Sequence, residues 1–446
     1  MGDPLAVFKA YDVRGRTDNG ELDADLVRRI GAVFARLVGG GKIAVGRDCR
    51  ISSPPLAEAL HAGITSTGSD VVDLGEVATD VVYFVAGRRS MPGVMITASH
   101  NPGNYNGLKF CKAGAVPVGA DSGLDEIAQR ISAGEDVGDG SGSVSRFDPM
   151  PGYIDHLLGI VEPSAIGALR VAVDGGNGMA GVVLGRIFDR LQAELLGLYL
   201  EPDGTFPNHP ADPLQPDNLR DLADLVRRRQ PDIGVAFDGD ADRAFFLDEL
   251  GMPLSGSTTT ALIARWFLDR EPGAAIVHNL ITSRAVPEIV REYGGTPVRT
   301  RVGHSYIKQV MAETGAVFGG EHSGHYYFRD NFRADSGMLA MLVLMQVVTE
   351  SGRPLSELRT EVERYAASGE VNIEVADRSA AIAAVEAAFA TSELDFTDGI
   401  TVDLGDSWFN LRPSNTEPFV RLNVEAPDRE AVDSLTERVR GIVTPS

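Results

Sequence analysis

Short apolar strands recur along this sequence, and in three blocks such a strand ends in a polar loop that contains glycine or serine. Apolar residues at helical spacing separate the strands, as at 26–37, which precedes an apolar strand at 42–45. This alternation predicts α/β layers with largely parallel sheets. The chain has 446 residues, which suggests about three domains at roughly 150 residues each.

Changes in pattern mark the predicted domain boundaries. Periodicity is lost in a stretch rich in Gly, Ser and Asp at 135–143, and a second α/β block begins with the strand at 169–173. The last block differs, because two strands bracket a tight polar loop and a helix with one apolar face follows, which indicates an α+β module. We therefore predict α/β domains at 1–146, 147–250 and 251–366, and a smaller α+β domain at 367–446.

The charge of the chain excludes two classes of partner. It has 41 Lys and Arg against 63 Asp and Glu, a formal charge of −22. We therefore expect no nucleic-acid partner, because binding to a phosphate backbone requires positive charge. An anionic membrane surface would repel the same chain. The most apolar run, at 338–345, is too short to span a bilayer and predicts a buried helix instead.

Cysteine usage and the amino terminus indicate the compartment. Cys49 and Cys111 allow at most one disulfide, and a chain of this length needs none to be stable. The first residues lack the basic and apolar regions of a signal peptide. We therefore expect a cytoplasmic protein.

The acidic loop after the apolar strand at 233–237 predicts a metal site. Asp238, Asp240 and Asp242 occupy alternate positions, so their carboxylates can converge on one hard cation, and Mg²⁺ is the ion we expect. An EF-hand is disfavoured, because Arg243 stands where that loop needs glycine, although Glu249 lies at its twelfth position. An acidic solvated turn is the remaining alternative, and it accounts poorly for three carboxylates that leave a buried strand.

A second loop, after the predicted strand at 94–97, presents Ser99 at the carboxyl end of a strand, where α/β proteins place reactive groups. Its neighbour His100 would point away from Ser99 in an extended segment, so adjacency does not support a Ser–His hydrolase pair. The G-x-S-x-G motif of such hydrolases is also missing. An ordinary turn of Ser, Asn and Pro is the alternative for this loop alone.

A glycine-rich loop follows the predicted strand at 316–318. Its Glu321, Ser323 and His325 could bind sugar hydroxyls or a metal ion. Zinc is disfavoured, because the spacing of His322 and His325 is not that of the helical zinc motif.

The loop at 412–418 lies between two predicted strands. Its Arg412, Ser414, Asn415 and Thr416 offer a guanidinium, two hydroxyls and an amide, which together make a suitable cradle for phosphate. A long hairpin loop without a ligand is the alternative.

The segment 176–181 matches the G-x-G-x-x-G dinucleotide-binding pattern between a strand and a helix. It lies in mid-chain, and no acidic residue clearly ends a strand about 20 residues further on, where the dinucleotide-binding pattern requires one. Glu194, the acidic residue nearest to that position, precedes an apolar run. We therefore do not predict NAD binding.

Seven segments of the sequence resemble segments of the α-D-phosphohexomutase superfamily and follow one another in the same order. The resemblance covers nearly the whole chain. Each segment is weak evidence alone, whereas seven in the same order are specific. The matching segments are 8–15 (a phosphate-contacting motif), 97–102 (the phosphoserine loop), 104–109 (the catalytic lysine), 238–243 (the metal loop), 303–305 (a histidine segment), 321–325 (sugar recognition) and 412–416 (phosphate binding). The resemblance implies three similar α/β domains with mixed sheets and a smaller α+β domain around a central cleft.

The resemblance also implies an isomerase that moves phosphate between O6 and O1 of a hexose. Phosphorylated Ser99 would donate to a hexose monophosphate, and the resulting 1,6-bisphosphate would reorient in the cleft and return its other phosphate. The implied cofactors are one Mg²⁺ per chain and a hexose 1,6-bisphosphate activator. The implied substrate is a phosphosugar, and the implied assembly is a monomer or weak dimer.

Residue roles follow from the same resemblance. The implied catalytic residues are Ser99, Lys109, Arg14 and His304, of which Lys109 and His304 are the candidates for moving the proton of the accepting hydroxyl. The implied metal ligands are Ser99, Asp238, Asp240 and Asp242. The implied substrate-binding residues are Tyr11, Arg243, Glu321, Ser323, His325, Arg412, Ser414, Asn415, Thr416 and Arg421.

Within the superfamily, the phosphomannomutase/phosphoglucomutase branch fits best, because Asn415 stands where glucosamine-specific relatives carry glycine. Arg284 stands near the position of a substrate-contacting lysine of some dual-specificity relatives, and it is a candidate substitute. The sequence does not rank mannose against glucose, which differ only at C2. Phosphoglucosamine mutase, a metal-dependent sugar phosphatase and a non-catalytic sugar-phosphate sensor remain alternatives.

Overall fold

A computed structural model describes residues 5–135, 137–414 and 419–444, except for the side chain of His304. The described residues form four β-sheets, which succeed one another along the chain. We call the segments that contain these sheets units one to four. No helix among these residues combines the length and the apolar character that a bilayer span requires.

Unit one is built on the largest sheet. It comprises strands β1 (Val13–Arg16), β2 (Lys42–Arg47), β3 (Asp70–Glu76), β4 (Gly93–Ile96), β5 (Tyr105–Lys112), β6 (Val116–Pro117) and β7 (Val144–Arg146), with helices α1 (Ala24–Leu37), α2 (Ser53–Thr65), α3 (Thr79–Arg88) and α4 (Leu124–Ser132). The strand order is β1-β5-β4-β2-β3-β7, with β6 beside β5. Strands β4, β2, β3 and β7 run parallel, whereas β5 is antiparallel to β4 and to β1.

Units two and three each have a four-stranded sheet. Unit two comprises β8 (Arg170–Asp174), β9 (Glu194–Leu198), β10 (Ile233–Phe237) and β11 (Ala244–Leu247), with α5 (Met150–Ile160), α6 (Ala180–Phe188) and α7 (Arg220–Arg229). Unit three comprises β12 (Ala275–Asn279), β13 (Thr296–Thr300), β14 (Phe318–Gly320) and β15 (Tyr326–Phe328), with α8 (Gly256–Arg270), α9 (Ala285–Glu292), α10 (His304–Thr314), α11 (Gly337–Ser351) and α12 (Leu355–Val362). The strand orders are β11-β10-β8-β9 and β13-β12-β14-β15.

Units one, two and three share one four-stranded pattern. A central strand lies between two parallel neighbours, and a fourth strand runs antiparallel beside one of them. Among the three parallel strands of this pattern, the last in chain order is β4, β10 or β14, and the loop after it leads to the antiparallel strand. These are the loops of Ser99, Asp238 and Glu321, so one topology places all three at equivalent sheet edges.

Unit four has a different architecture. It comprises β16 (Ala366–Glu374), β17 (Glu393–Asp395), β18 (Ile400–Asp403), β19 (Trp408–Pro413) and β20 (Phe419–Ala426), with α13 (Arg378–Ala388) and α14 (Arg429–Val443). Its sheet is antiparallel throughout, in the order β16-β20-β19-β18-β17. The predicted fold class, three α/β units with mixed sheets and a smaller α+β unit, is therefore confirmed, while the domain boundaries at 146, 250 and 366 stay predictions.

One predicted strand, at 316–318, is displaced in the structure. Of the three predicted residues, only Phe318 belongs to β14. Helix α10 is capped by Gly315 in the left-handed conformation (φ 68°), and the two residues after Gly315 form the turn to the strand. Ala316 and Val317 are buried, so their apolar character reflects packing rather than a strand. The apolar run at 338–345 forms part of α11 and is buried, as predicted.

Units one to three share apolar packing, whereas unit four has its own. One cluster of buried side chains extends from Ala44 to Val362 and so includes all three α/β units. The buried side chains of unit four, within 373–443, form a separate cluster. An ion pair between Arg284 and Asp403, at 2.6 Å, is one of the polar contacts that join unit four to unit three.

Asp80, in the first turn of α3, joins the three α/β units. Its Oδ2 accepts hydrogen bonds from Tyr153 Oη of unit two and, at 2.6 Å, from Ser336 Oγ of unit three. Burial raises the pKa of the Asp80 carboxyl from 3.8 to about 7. Between these pKa values the folded chain keeps a proton on Asp80 that the unfolded chain has lost. The stability that the protonated carboxyl contributes is therefore present below about pH 4 and is lost as the pH rises to about 7.

Asp80→Asn should therefore stabilise the chain at neutral and higher pH. The amide oxygen can accept the same two hydrogen bonds, and no charge has to be buried. We expect the melting temperature to rise by roughly 2 to 4 °C at about pH 8, and by less or not at all at about pH 5. Thermal unfolding at both pH values measures this, with the exposed Asp125→Asn as control. An equal shift at the two pH values would contradict the titration of Asp80.

Candidate active site

Ser99 lies in the loop between β4 and β5, and its hydroxyl contacts the acidic loop of unit two. Ser99 Oγ donates to Asp238 Oδ2 at 2.6 Å and accepts from Arg243 Nη2 at 3.2 Å. The residue is only 4% exposed, and its backbone is left-handed (φ 51°). That conformation costs a serine about 1 to 2 kcal/mol, and such strain is concentrated at functional residues.

The prediction that His100 points away from Ser99 is wrong. His100 Nδ1 lies 3.3 Å from Ser99 Oγ, because the left-handed backbone of Ser99 breaks the alternation of an extended segment. The guanidinium of Arg243, together with burial, holds the pKa of His100 well below its ordinary value. Among the described residues no carboxylate hydrogen-bonds the His100 ring, so the orienting member of a hydrolase triad is missing.

Three buried carboxylates lie beside Ser99. Asp238, Asp240 and Asp242 each offer an oxygen within 4.8 Å of the other two, and each is at most 1% exposed. Ala241, between the last two, has a left-handed backbone (φ 62°) that curls the loop. Burial, reinforced by the neighbouring carboxylates and opposed by a guanidinium, raises the pKa of Asp238 to about 8.

Lys109, on β5, carries the positive charge that contacts two of these carboxylates. Its Nζ donates to Asp240 Oδ2 at 2.7 Å and also to Asp242 Oδ2. Burial opposes the charge of Lys109, but the two carboxylates outweigh it and hold the pKa of the ammonium well above its ordinary value. Burial alone would raise the pKa of Asp240, whereas the ammonium keeps that pKa below its ordinary value. Lys109 therefore stays protonated, which suits charge neutralisation better than proton abstraction.

The carboxylate group fits a divalent cation. Asp240 Oδ1 and Asp242 Oδ1 are buried and have no hydrogen-bond partner among the described residues. Buried carboxylate oxygens without partners are unfavourable, and hard oxygen atoms are the ligands that Mg²⁺ binds. Together with Asp238 and the hydroxyl of Ser99, these atoms could hold one Mg²⁺.

Arg14 and Tyr11 lie on the amino-terminal segment, which contacts two parts of the site. Arg14 Nη1, on β1, donates to Asn101 Oδ1 at 2.6 Å, two residues after Ser99. Tyr11 Oη donates to Val302 O of unit three at 3.2 Å. Burial is the largest of the causes that raise the pKa of Tyr11 to about 12. The segment therefore borders the Ser99 loop on one side and unit three on the other.

The Glu321 loop is held by side chains that the sequence did not mark. Glu321 Oε1 accepts from Asn279 Nδ2 at 3.0 Å, and Glu321 Oε2 accepts from Tyr327 Oη at 2.7 Å. Ser323 Oγ lies 3.0 Å from His325 Nδ1. Asn279 ends β12 and Tyr327 lies within β15, so no local motif connects either of them to the loop.

A cavity of about 980 Å³ separates this loop from unit four, and its volume is within the range of small-molecule sites. The predicted residues that line it are Tyr11, Glu321, Ser323, His325, Arg412 and Arg421. His325 connects the cavity to the acidic loop, because its Nε2 lies 3.8 Å from Asp242 Oδ1 and its backbone bridges to Arg243.

Two arginines face each other across the strands of unit four. Arg412 on β19 and Arg421 on β20 are paired in register, and Glu370 bridges them at 2.6 and 3.4 Å. Like charges in this position repel, and Glu370 compensates only part of them. Both Nε atoms and Ser414 Oγ are buried without a hydrogen-bond partner among the described residues, which leaves donors for an anion.

Three predicted site residues lie wholly or partly outside the described part of the chain. Asn415 and Thr416 lie outside the described residues, as does the side chain of His304, whose backbone begins α10. Their roles stay predictions. The guanidinium of Arg284 donates to Gly405 O at 2.6 Å in addition to its ion pair with unit four, so its charge is engaged at that junction.

The glycine pattern at 176–181 has a packing explanation. A Cβ at Gly178 would lie 2.6 Å from Gly239 O of the acidic loop, and one at Gly181 would lie 1.6 Å from Leu200 O. Only glycine permits these approaches. The pattern therefore brings two loops of unit two together beside the carboxylates.

Family models match four successive parts of the chain. Those described as phosphoglucomutase/phosphomannomutase alpha/beta/alpha domains I, II and III match residues 5–137, 151–251 and 255–365, and that of the C-terminal domain matches 370–442. The chain belongs to the phosphoglucomutase/phosphomannomutase family.

Individual members of the family resemble the chain over its whole length. The phosphohexose mutases of Xanthomonas campestris pv. campestris include one that is 40% identical over an alignment of 449 positions, which covers 98% of this chain and 99% of the relative. A phosphomannomutase of Salmonella montevideo is 41% identical over 434 residues, which cover 95% of each chain. The crystal structure of a phosphoglucomutase/phosphomannomutase family protein from Burkholderia thailandensis superposes with a TM-score of 0.90 at 33% identity, covering 100% of this chain and 99% of that one.

Neutralising Asp240 should weaken the binding of Mg²⁺ to this family member. Asp240→Asn keeps the shape of the side chain but removes an anionic ligand, so we expect the Kd of Mg²⁺ in calorimetric titration to rise at least about 10-fold. Asp335→Asn is the matched control. Asp335 lies near Asp242 and His325 but forms an ion pair with Lys308 at 2.6 Å. An equal loss of affinity in both variants would place the ion nearer His325 and contradict the proposed ligand set.

Proposed function

We propose that this enzyme is a phosphomannomutase that also accepts glucose phosphates, and that it interconverts hexose 6-phosphate and hexose 1-phosphate through phosphorylated Ser99 and a hexose 1,6-bisphosphate. One observation carries the proposal. Asp238 and Arg243 hold a buried serine, and their loop is connected through His325 to a cavity that carries a separate cationic cradle at Arg412 and Arg421. A phosphatase requires only the first of these phosphate sites, whereas a mutase that handles a bisphosphate requires both.

Two phosphoryl transfers in opposite directions account for both sites. In the first, the O–P bond at Ser99 breaks, a new O–P bond forms at the free hydroxyl of the bound hexose monophosphate, and the proton of that hydroxyl leaves. In the second, the bisphosphate has reoriented and its other phosphate returns to Ser99. Phosphoryl transfer depends mainly on positioning and charge neutralisation, which a site of buried cations and carboxylates supplies.

The positive groups around Ser99 neutralise the transferring phosphate. Arg243 already donates to Ser99 Oγ, Lys109 stays protonated, and Arg14 contacts the same loop through Asn101. The three aspartates would hold one Mg²⁺, which supplies a divalent charge to the phosphate oxygens when bound.

The proton of the accepting hydroxyl needs a separate acceptor. The raised pKa keeps Lys109 protonated, so it has no free amine to accept this proton. We propose His304 for this role, which rests on the family resemblance and on its neighbour Gly303, which lines the cavity.

The substrate is held from two sides. We propose that Glu321 and Ser323 contact O3 and O4 of the ring, with His325 and Tyr11 beside them. The phosphate that is not being transferred binds Arg412, Arg421, Ser414, Asn415 and Thr416. The free donors of Arg412, Arg421 and Ser414 support this placement. Because these groups bind phosphate rather than the ring, they can accept either end of the bisphosphate.

The proposal also includes the cofactors, the assembly and the cellular location of the enzyme. We propose one Mg²⁺ per chain, activation by a hexose 1,6-bisphosphate that restores the phosphate on Ser99, and a monomer or weak dimer. We also propose a cytoplasmic location, which the two free cysteines, Cys49 and Cys111, support.

Ser99→Ala should abolish turnover while the fold survives. The variant lacks the phosphate acceptor, and a loop hydroxyl contributes little packing energy. We expect kcat with mannose 1-phosphate to fall by roughly a thousandfold or more in a coupled assay. Intact-protein mass spectrometry should show one phosphate group fewer than in the parent enzyme. Near-normal turnover, with or without added glucose 1,6-bisphosphate, would remove Ser99 from the mechanism.

Arg412→Ala should weaken transfer equally for both sugars. The lost charge-assisted contact contributes about 2 to 3 kcal/mol, which corresponds to about a 30- to 150-fold loss in kcat/KM. Mannose 1-phosphate and glucose 1-phosphate should be affected alike, because the contact does not reach C2. Arg429→Ala, an exposed arginine of the same unit, is the control. A tenfold change in sugar preference would show that Arg412 contacts the ring.

A further inference from the structure

Arg50 lies three residues after β2 and has no exposed surface. All five of its guanidinium donors are used. Arg50 Nε donates to Asp48 Oδ2 at 3.0 Å. The two terminal nitrogens donate to four backbone carbonyls. The distances are 2.7 Å to the carbonyls of Ser99, Asn101 and Pro102 and 3.1 Å to that of Tyr105. One side chain therefore binds the backbone of the nucleophile loop from its serine to the first residue of β5.

We propose that Arg50 is a positioning residue for phosphoryl transfer, which fixes the loop conformation that presents Ser99 Oγ to Asp238 and Arg243. This inference rests on the proposed mutase function. Four buried carbonyls that converge repel one another unless donors lie among them. The planar fork of an arginine is the side chain that can serve four carbonyls at once, because a lysine has three donors on a single nitrogen.

The same contacts hold Ser99 in its strained conformation. A serine with φ 51° returns to the extended or helical region unless its surroundings prevent it. The Arg50 bond to the carbonyl of Ser99 and the one to the carbonyl of Asn101 restrain the peptide groups near the hydroxyl-bearing residue. Loss of the guanidinium would therefore release the direction of Oγ, although the hydrogen bonds of Arg50 to this loop are to its backbone carbonyls.

Arg50 also lies where unit two packs on unit one. The ring of Phe206, in unit two, lies 5.1 Å from Arg50 Cζ. A Cβ at Gly204 would lie 2.4 Å from Cys49 O and 2.6 Å from Arg50 Cα, so this segment of unit two packs directly against the Arg50 backbone. The contact between Ser99 and Asp238 crosses the same junction. Arg50 is thus placed to fix the nucleophile relative to the acidic loop as well as relative to its own sheet.

Arg50→Lys separates positioning from general support. The variant keeps the charge but cannot reach all four carbonyls, and the resulting displacement of Ser99 by about 1 Å should lower kcat about 100-fold. We expect KM for mannose 1-phosphate and the Kd of Mg²⁺ to stay within about threefold of the parent values, because Arg50 contacts neither the cavity nor the carboxylates of the metal loop. Arg47→Lys is the matched control. Arg47, the last residue of β2, pairs with the exposed Glu76 at 2.8 Å, and its variant should retain the parent kcat.

The outcomes distinguish the inference from the function on which it rests. An inactive parent enzyme in the same coupled assay would overturn the mutase function itself. An active parent with an Arg50→Lys variant within about threefold of its kcat, or with KM or the Kd of Mg²⁺ changed about 10-fold, would overturn the positioning role. If circular dichroism shows that Arg50→Lys does not fold, Asp48→Asn decides. Asp48 Oδ2 accepts from Arg50 Nε at 3.0 Å and so orients the guanidinium. The variant should lower kcat by about 3- to 10-fold at unchanged KM, and an unchanged kcat would overturn the proposal.

Discussion

Three carboxylates buried beside Ser99 require positive charge close to them, and much of the site supplies it. Asp238 is compensated by Arg243 from its own loop, whereas Asp240 and Asp242 are compensated by Lys109 from unit one. The ion pairs that neutralise the site therefore also join units one and two. Because loss of either partner would leave a buried charge uncompensated, the position of the nucleophile relative to the acidic loop depends on electrostatics as well as on apolar packing.

The three α/β units place three kinds of chemistry with one sheet topology. In each unit, a parallel strand is followed by an antiparallel neighbour, so the chain reverses at the carboxyl edge of the sheet. Each reversal contains a residue with positive φ, at Ser99 (51°), Ala241 (62°) and Gly324 (82°). One reversal carries the proposed nucleophile, the second the proposed metal ligands and the third the proposed sugar ligands. Because the units pack with these edges together, loops that are distant in the sequence meet at one site.

The sequence predicted what depends on local pattern. Apolar runs located the strands before the site loops, but a buried turn is as apolar as a strand, which is why the strand at 316–318 was displaced. Motifs predicted site roles for Ser99 and the aspartates, and the structure brings these residues together. The direction of His100, in contrast, depended on one backbone torsion that residue types do not encode. Arg50 and Tyr327 were not identified, because they act on the site through backbone carbonyls or through another side chain. Such contacts connect residues far apart in sequence and leave no characteristic spacing.

Unit four differs from the others in how it packs against the rest of the chain, and the difference suits its proposed role in binding the phosphate that is not being transferred. Units one to three share a continuous apolar core, whereas unit four has its own core and contacts unit three partly through ion pairs such as that of Arg284 with Asp403. Partly exposed ion pairs contribute little stability, so unit four can shift at lower cost than the other three. A mutase must keep its nucleophile fixed while the bisphosphate reorients. A cradle at Arg412 and Arg421, on a separately packed unit, can follow the phosphate through that motion without disturbing the carboxylates around Ser99.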